Sequence, residues 1–522
     1  MIGVVAAAPL AEAKSLVGAA LHRSLGLGAV AETDFDALPD SRFRILVAIG
    51  PSESEAKSLA RWLTAGPRKV VLFGELPQAI VRFFGQTIST GRALPARWAE
   101  ADPAGPRQFS ESPGAILYCD LVRHLGGAPW RRALSRFDFA DEWNNLPYGA
   151  VRTDNSIWAL AASQRLTPEA ELAVLSGPRG EALATYASLL DQPDAALLWF
   201  NRPTGPIDSV EWRLVENFLS AHRADDLPSA PVLSEIPFGH DAAATMRLDC
   251  DEDLASARPL FDAYGELGVP FSLAVHTALL ADKAHHPLLR DARASGGSLL
   301  SHSATHPADW GGSHAAALAE AKQSAAAIAA VTGTPPRFAV SPFHRTTGFA
   351  LAALAEAGYD GCIGGSACGD PQFVMARGGA AASLPPGFAF HTQQCMLHGD
   401  CLAPRPDPIA TFRAAFDLAL AGGSFFAWLD HPFSLRYQYG WPDEETRIQM
   451  HRLLIAHIRA RAKNPLFLSQ DAAMDFLRLK SLTRLGAGLD GAITVTSPEN
   501  PPSVLPLAID YRGKRVPAGA GV

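Results

Sequence analysis

Two short runs of this sequence combine residue types that can bind a metal ion and move protons. The first places Asp249 and Asp251 two residues apart, and the second places His302 and His306 four residues apart. One carboxylate and two imidazoles form the ligand set of a hydrolytic metal site that keeps positions open for water. A second carboxylate beside them can act as the base for that water. The sequence therefore predicts a metal-dependent hydrolase.

Each of these residues also has an ordinary structural interpretation. Asp249 and Asp251 lie on the same side if their strand persists, but either can instead cap a helix that starts near Asp253. His302 and His306 share a face only if their segment forms a helical turn, and are otherwise loop or capping histidines. From the residues alone, one aspartate binds the metal and the other faces the water, and their assignment stays open.

A third histidine, His431, follows the apolar segment 425–429 and is followed by proline. The ordinary pKa of histidine lies near neutrality, so a histidine at the end of a strand suits a general acid. The alternative is a packed imidazole that hydrogen-bonds to Asp430.

The segment 240–480 alternates apolar strand patterns with helical patterns. Seven strands are predicted, at 244–248, 269–275, 298–301, 337–341, 361–364, 424–429 and 465–468. This series predicts a barrel-like α/β fold whose chemistry lies at the carboxyl ends of the strands. Asp249, His302, Pro342 and His431 all fall at or just after such ends, so we expect them on one face.

The first 235 residues also alternate short apolar strands with helices, which predicts a Rossmann- or flavodoxin-like parallel sheet. The predicted strands are 2–5, 45–48, 70–73, 172–175 and 196–200. No glycine-rich phosphate-binding motif follows any of them, so we assign this part no chemistry. We expect an N-terminal α/β domain at 1–235, a catalytic barrel at 240–482 and a C-terminal appendage or return strand at 483–522.

Composition narrows the class of protein. With 522 residues, 48% hydrophobic and 19% charged, the chain is long enough for two or three globular domains. The formal charge of −8 argues against a nucleic-acid partner or an anionic membrane surface. No uncharged apolar run reaches the ~18 residues of a membrane span, and the first residues read as a strand. Six cysteines fit reduced thiols, so we expect a cytoplasmic protein.

These motifs resemble those of the polysaccharide deacetylases, the NodB-like carbohydrate esterase superfamily. The family motif His-Ser/Thr-x-x-His-Pro is matched in full by 302–307. The pair of aspartates is similar to the subset of the family in which one residue separates them. The resemblance implies a deformed (β/α) barrel of about seven strands and an Asp-His-His metal site, usually holding Zn²⁺, with Co²⁺ or another divalent ion possible.

The resemblance also implies roles for individual residues. Asp249 would be the base, and His431 would be the acid that protonates the leaving amine. Three residues would be metal ligands: Asp251, His302 and His306. In Ser341-Pro342-Phe343 the resemblance assigns Pro342 and Phe343 to the oxyanion and substrate site, with the backbone N–H of Phe343 helping to bind the oxyanion.

The sequence departs from the family pattern at two motifs. Val340 stands where the family has an arginine that orients the base, and Arg247, Arg337 or Arg345 could replace it. The family's later Asp/Trp motif is not evident. The resemblance covers about 240 residues, and it leaves the N-terminal half unexplained.

The implied reaction is removal of an acetyl group from an N-acetylated sugar or polysaccharide precursor. Four aromatic side chains could stack on the sugar or pack in the core instead: Trp310, Tyr437, Tyr439 and Trp441. One alternative keeps the site but changes the substrate to a small non-sugar amide. A second alternative is a catalytically inactive carbohydrate-binding or scaffold protein, supported only by Val340.

A second group of possible metal ligands is Cys395, His398 and Cys401, at three-residue spacing. With Cys362, Cys368 or His391 this group could close a structural zinc site. The alternatives are buried side chains without a metal, or a segment over the barrel mouth that shapes substrate access.

Overall fold

The computed structural model describes residues 1–99, 114–134, 151–364, 377–381, 384–392, 395–402, 406–435, 437–487 and 492–518. Within these ranges the chain forms two large β-sheets with helices packed on them, one sheet in each half. The mixed α/β class with parallel sheet agrees with the sequence prediction.

The N-terminal sheet contains nine strands among the described residues. Their spatial order is Val30–Glu32, Ile2–Ala6, Ile45–Ile49, Arg68–Phe73, Ala195–Phe200, Ala182–Gln192, Glu171–Ser176, Ala115–Tyr118 and Arg131–Ala133. The first five strands are parallel, as predicted, and the remaining pairings are antiparallel. A wholly parallel sheet is therefore wrong. Only Pro193 and Asp194 connect two of its neighbouring strands, and a two-residue connection permits only antiparallel pairing.

The helices of this half are Ala11–Leu25, Glu53–Leu63, Gln78–Phe83, Ala96–Ala99 and Ser209–Ser220. Asp208 caps the last helix by accepting hydrogen bonds from the backbone N–H groups of Val210 and Glu211. Glu211 also reaches back, but it accepts from the N–H of Ile207 at 2.6 Å and does not close a capping box.

Among the described residues, the second sheet contains strands at all seven predicted places and three short strands in addition. Nine lie in the order Gly379–Ala380, Ala389–Thr392, Gly361–Gly364, Phe338–Val340, Ser298–Ser301, Ser272–Val275, Ala242–Cys250, Phe426–Asp430 and Cys395–Met396. Pro465–Leu468 pairs with Ala242–Cys250 as well. All pairings are parallel except that of Gly379–Ala380. No pairing among the described residues joins the two end strands, so closure into a barrel stays a prediction.

Helices follow most strands of this sheet and bury one face against it. They are Arg258–Leu267, His286–Ala294, His314–Thr332, Gly348–Glu356, Ala410–Gly422, Glu444–Arg461 and Gln470–Leu482. Across the described ranges, no helix is both long and apolar enough to cross a membrane.

The two halves are joined by strand pairing and by a buried ion pair. The C-terminal strand Ala508–Tyr511 pairs antiparallel with Val232–Leu233, so residues beyond 483 return to the connection between the halves. Glu216, on the last helix of the N-terminal half, accepts two hydrogen bonds from Arg377 at 3.0 and 2.7 Å. Both side chains are buried. Burial raises the pKa of Glu216, but the charge and hydrogen bonds of Arg377 outweigh it and lower that pKa to about 2.

Glu216→Gln should destabilise the protein at neutral pH, because it leaves the Arg377 charge buried without its partner. Lowering the pKa of Glu216 from 4.5 to about 2 stabilises the folded protein by ~3 kcal/mol above pH 4.5. That stabilisation is lost as the pH falls toward 2, where both states bind the proton. Urea unfolding should therefore show a difference of ~3 kcal/mol between wild type and variant at pH 7 that shrinks below pH 4.5.

The exposed Glu169→Gln is the matched control and should change the free energy of unfolding little at any pH. A difference between Glu216→Gln and wild type that stayed constant down to pH 3 would contradict the ionised Glu216 described here.

Candidate metal centre

The carboxyl ends of neighbouring parallel strands bring the predicted site residues to one edge of the second sheet. Asp249 is the penultimate residue of Ala242–Cys250. His302 directly follows Ser298–Ser301, and His431 directly follows Phe426–Asp430. The strands at which these residues lie are parallel, so their carboxyl ends share one edge. The placement expected from the sequence pattern is the one observed.

Three potential ligand atoms converge on one point at this edge. The Nε2 atoms of His302 and His306 are 3.1 Å apart, and they lie 3.1 and 3.4 Å from Oδ1 of Asp251. These three residues are the only metal-ligand cluster within the described ranges. Oδ1 of Asp251 is buried and accepts no hydrogen bond there. A buried acceptor facing two ring nitrogens is a costly arrangement unless a cation lies between them.

The ring nitrogens of the two histidines are aimed at a common point beside Asp251. Nδ1–H of His302 donates to the carbonyl oxygen of Val340 at 3.0 Å, so Nε2 is the nitrogen that faces Asp251. Burial lowers the pKa of His302, but the charge of Asp249 and the hydrogen bond to Asp251 outweigh it, so that pKa lies above its usual value. Burial, and then the charge of neighbouring His302, lower the pKa of His306 to about 4, so its ring is neutral at pH 7. Two imidazole nitrogens and one carboxylate oxygen are a donor set for zinc or another borderline divalent ion.

The segment between His302 and His306 is a turn that is not helical. The two imidazoles nevertheless face the same point, so a helical turn is not needed to bring them together. Ser303 and His306 both have left-handed backbone angles, with φ of 64° and 54°. The N–H of His306 donates to Oγ of Ser303. Glu320, from the helix His314–Thr332, accepts from the N–H groups of Ala304 and Thr305 at 2.8 Å each. This carboxylate, which the sequence pattern does not reveal, holds the turn in place.

Asp249 is held by Arg247 from the same strand. Nε of Arg247 donates to Oδ1 of Asp249 at 2.7 Å, and a terminal nitrogen donates to Oδ2 at 3.2 Å. Both side chains are fully buried. Burial raises the pKa of Asp249, but the charge of Arg247 and then that of His302 outweigh it, so the pKa lies below its usual value. Asp249 is therefore an oriented carboxylate at neutral pH and caps no helix.

Of the three arginines that could replace the one missing at Val340, Arg247 is the one at the site. Arg337 instead pairs with Asp360 and Asp475 on the outside of the sheet. Arg345 pairs with Asp309. Arg247 precedes Asp249 by two residues on the same strand, so the two side chains point to the same face of the sheet.

Pro342 and Phe343 lie directly after Phe338–Val340 and reach the same edge. The ring of Phe343 lies 4.7 Å from that of His306, measured between centroids. Phe343 is 43% exposed and has a φ of 53°, whereas Pro342 is buried. A left-handed phenylalanine costs ~1–3 kcal/mol. Phe343 therefore places an apolar ring and a turn of the backbone beside the three potential metal ligands.

His431 faces Asp251 and does not hydrogen-bond to Asp430 through its ring. Its Nε2 lies 3.4 Å from Oδ2 of Asp251. Its backbone N–H, by contrast, donates to Oδ1 of Asp430. Asp430 is buried and engaged by Arg447 and His451 at 3.1 and 3.0 Å. The alternative in which the imidazole packs on Asp430 is therefore wrong.

Two histidines at the site were not predicted. His276 directly follows Ser272–Val275, and its Nδ1–H donates to the backbone carbonyl of Asp251 at 2.8 Å. Its place just after a predicted strand is a signal that could have revealed it. Burial lowers the pKa of His344 to about 3. The charge of Asp249 raises that pKa and the charge of Arg247 lowers it, but burial is the largest cause. It follows a left-handed phenylalanine, and no sequence pattern indicates this arrangement.

Two of the aromatic residues proposed as sugar-stacking surfaces lie in the core. Trp310 and Trp441 are 0% and 1% exposed, so neither can stack on a sugar. Tyr439 is part of the site, because its ring stacks on that of His431 with centroids 4.5 Å apart. Tyr437 is partly buried.

The second predicted metal cluster does not form among the described residues. Cys395 and Cys401 are buried in the apolar core of the second sheet. His398 faces His431, with 2.7 Å between the ring nitrogens. Within the described ranges these three residues form no group close enough to hold one ion. Cys368, offered as a further ligand, lies outside those ranges.

Comparison with known proteins supports the resemblance read from the motifs. Residues 254–362 match the family described as polysaccharide deacetylase. This stretch contains both histidines of the cluster and Pro342-Phe343, but it begins after Asp251 and ends before His431. No curated protein matches the chain.

Several solved structures are similar in fold at low identity. One is a putative polysaccharide deacetylase from Mycobacterium smegmatis, at 16% identity and TM-score 0.38, covering 51% of this chain and 97% of that one. A second is Agd3, described as a novel carbohydrate deacetylase, at 11% identity and TM-score 0.43, covering 100% of this chain and 99% of that one. A third is PuuE allantoinase, at 12% identity and TM-score 0.35, covering 46% of this chain and 92% of that one.

These TM-scores are too low to assign an activity, so the family rests on the sequence match and the motifs. The N-terminal half has no assigned family. The match of residues 254–362 to the polysaccharide deacetylase family agrees with the resemblance carried by the motif at 302–307.

Proposed function

We propose that this protein is a metal-dependent deacetylase that hydrolyses the N-acetyl group of a sugar or polysaccharide precursor. The observation that carries the proposal is the convergence of Asp251, His302 and His306 beside a buried carboxylate, Asp249. Two of these residues, His302 and His306, lie in the segment 254–362 that matches the polysaccharide deacetylase family. The hydrolase class follows from the family, and the metal and the substrate are part of the proposal.

In the proposed site, Asp251, His302 and His306 hold the divalent ion, with zinc expected. When bound, the ion supplies Lewis acidity to a water molecule and to the carbonyl oxygen of the substrate. The other residues bind, orient and move protons around that centre.

Asp249 acts as the base that accepts the proton of the attacking water. Its carboxylate is ionised at neutral pH and is fixed by two hydrogen bonds from Arg247. This pairing removes the main reason for an inactive site, because Arg247, on the same strand as Asp249, replaces the arginine missing at Val340. Because the carboxylate is already fixed in one orientation, little free energy is needed to reorganise it when the water attacks.

Phe343 and His431 act on the oxyanion and on the leaving group. The backbone N–H of Phe343 donates to the oxyanion that forms as water attacks, and Pro342 shapes the turn that presents it. His431 donates the proton on Nε2 to the nitrogen of the leaving amine as the C–N bond breaks. The Nε2 atom lies on the Asp251 side of the ring, 3.4 Å from Oδ2, which is the side of the reacting groups.

We also propose that the second sheet closes into the deformed barrel of this family. Its parallel strand order and the gathering of site residues at the carboxyl ends support this arrangement. The proposed domain limits remain 1–235, 240–482 and 483–522. A cytoplasmic location stays a prediction from the sequence.

Asp249→Asn should abolish acetate release from N-acetylated sugar oligomers while the metal content stays at one ion per chain. The amide keeps the shape of the side chain but cannot accept the proton of water. We expect kcat to fall by roughly 10²–10⁴. Acetate assays together with elemental analysis check both parts.

If wild-type protein releases no acetate but cleaves ureido compounds, the substrate is a small non-sugar amide. If Asp249→Asn retains more than a tenth of wild-type kcat, Asp249 is not the base.

His302→Ala should lose the metal ion as well as the activity, because two protein ligands bind a divalent ion far more weakly than three. The matched control is His314→Ala, which removes a half-exposed imidazole twelve residues away in sequence. Elemental analysis after dialysis should give about one zinc for wild type and His314→Ala, and less than 0.2 for His302→Ala. Equal metal content in all three proteins would place the ion elsewhere.

Arg247→Lys should lower kcat without changing metal content or KM. A lysine cannot form the two parallel hydrogen bonds that fix Asp249, although it keeps the charge. We expect a loss of about 10- to 100-fold in kcat, measured by steady-state acetate release. Arg337→Lys is the control, since that arginine pairs with Asp360 and Asp475 instead of Asp249. An unchanged kcat would mean that the orientation of Asp249 does not depend on Arg247.

A further inference from the structure

A second imidazole lies behind His431, on the side away from the metal cluster. His398 follows the short strand Cys395–Met396, and its Nε2 is 2.7 Å from Nδ1 of His431. Both rings are buried, at 7% and 8% exposed. A contact this short between two ring nitrogens is a hydrogen bond in which one nitrogen donates and the other accepts.

The carboxylate next to His431, that of Asp430, is already engaged by other groups. Oδ1 of Asp430 accepts the backbone N–H of His431 at 2.8 Å, and its Oδ2 accepts from Arg447 and His451. Oδ1 of Asp430 lies 3.7 Å from Nε2 of His398. His398 is therefore the side chain that meets the inner nitrogen of the His431 ring.

Packing fixes the pair of rings. The Tyr439 ring stacks on His431 with an interplanar angle of 17°, and its centroid lies 4.9 Å from that of His398. The N–H of Gly399, next to His398, donates to the carbonyl oxygen of Tyr439 at 2.9 Å. The two segments thus hold each other, and neither ring can turn without displacing the tyrosine.

The state of His398 suits an acceptor. Burial, and then the charge of neighbouring His431, lower the pKa of His398 to about 3, so the ring is neutral at pH 7. A neutral His398 that accepts at Nε2 keeps the proton of His431 on Nδ1. The outer nitrogen, Nε2, is then the atom that gives its proton to the leaving amine and later regains one.

We propose that His398 is a positioning residue that fixes the orientation and the tautomer of His431. The inference rests on the proposed function of His431 and deepens it. The sequence pattern singled out His398 as a possible structural metal ligand, but its partner is the histidine that acts on the leaving group.

The test compares His398→Ala with His398→Gln in the full-length, metal-loaded enzyme. The alanine removes the acceptor, so kcat for acetate release should fall by between about 10- and 1000-fold while KM and metal content stay at wild-type values. The glutamine offers an amide oxygen to Nδ1–H and should recover at least a tenth of wild-type kcat. His391→Ala, which also removes a buried imidazole from this sheet, is the matched control and should leave kcat unchanged.

The proposal is overturned if His398→Ala retains wild-type kcat, or if glutamine is no better than alanine. A melting temperature for each variant separates loss of the fold from loss of activity. Rescue by glutamine is the readout that a purely structural role would not produce.

A second measurement does not depend on the substrate. In protein labelled with ¹⁵N-histidine, the Nδ1 proton of His431 should give a downfield NMR signal that disappears in His398→Ala and persists in His391→Ala. If wild type releases no acetate, the proposed function fails, and this signal still decides whether the two rings are bonded. A spectrum of His398→Ala that retains the signal would overturn the proposal.

Discussion

The charge of two carboxylates at the end of one buried strand is the constraint on which the rest of the site depends. Asp249 and Asp251 lie where Ala242–Cys250 leaves an apolar sheet, and a bare carboxylate there would cost several kcal/mol. Each is compensated differently. Asp249 is paired with Arg247 within the strand, whereas Asp251 faces three imidazoles contributed by other segments. The first arrangement gives a fixed anion, and the second gives a set of lone pairs suited to a cation.

Gathering those imidazoles demands unusual backbone. Among the described residues, ten that are not glycine have left-handed angles, and five of them lie in the site loops: Ser303, His306, Phe343, His344 and Tyr439. Such conformations persist only where surrounding contacts enforce them. Glu320 supplies those contacts for the turn after His302, and the pairing of Gly399 with Tyr439 does so near His431. Half of these strained backbone conformations therefore lie in the loops that orient the histidine rings of the site.

Alternating apolar patterns predict the strands of the second sheet better than those of the first. Asp249, His302 and His431 were placed together because alternating apolar patterns mark strands, and parallel strands align their carboxyl ends. The role of Arg247 stayed open among three arginines, since pairing across a strand face depends on which face is inward. His398 was assigned to a metal cluster because spacing alone cannot tell a ligand from a hydrogen-bonding partner. The antiparallel half of the first sheet was missed because its strands, such as Ala182–Gln192, lack a clear alternation and are joined by hairpins.

The N-terminal half is tied to the catalytic half by buried charge as well as by apolar contact. Glu216 of the first half and Glu235 near the connection both lie close to Arg377, whose backbone neighbour Gly378 donates to Glu235 at 2.5 Å. Glu235 also accepts from the N–H of Phe425, at the start of the segment that leads through the next strand to His431. A buried charge network is weak as a source of net stability, but it penalises any shift that breaks one of its pairs. The position of the strand that leads to His431 is therefore linked to a surface of the N-terminal half, which gives that half a structural part in positioning the candidate site.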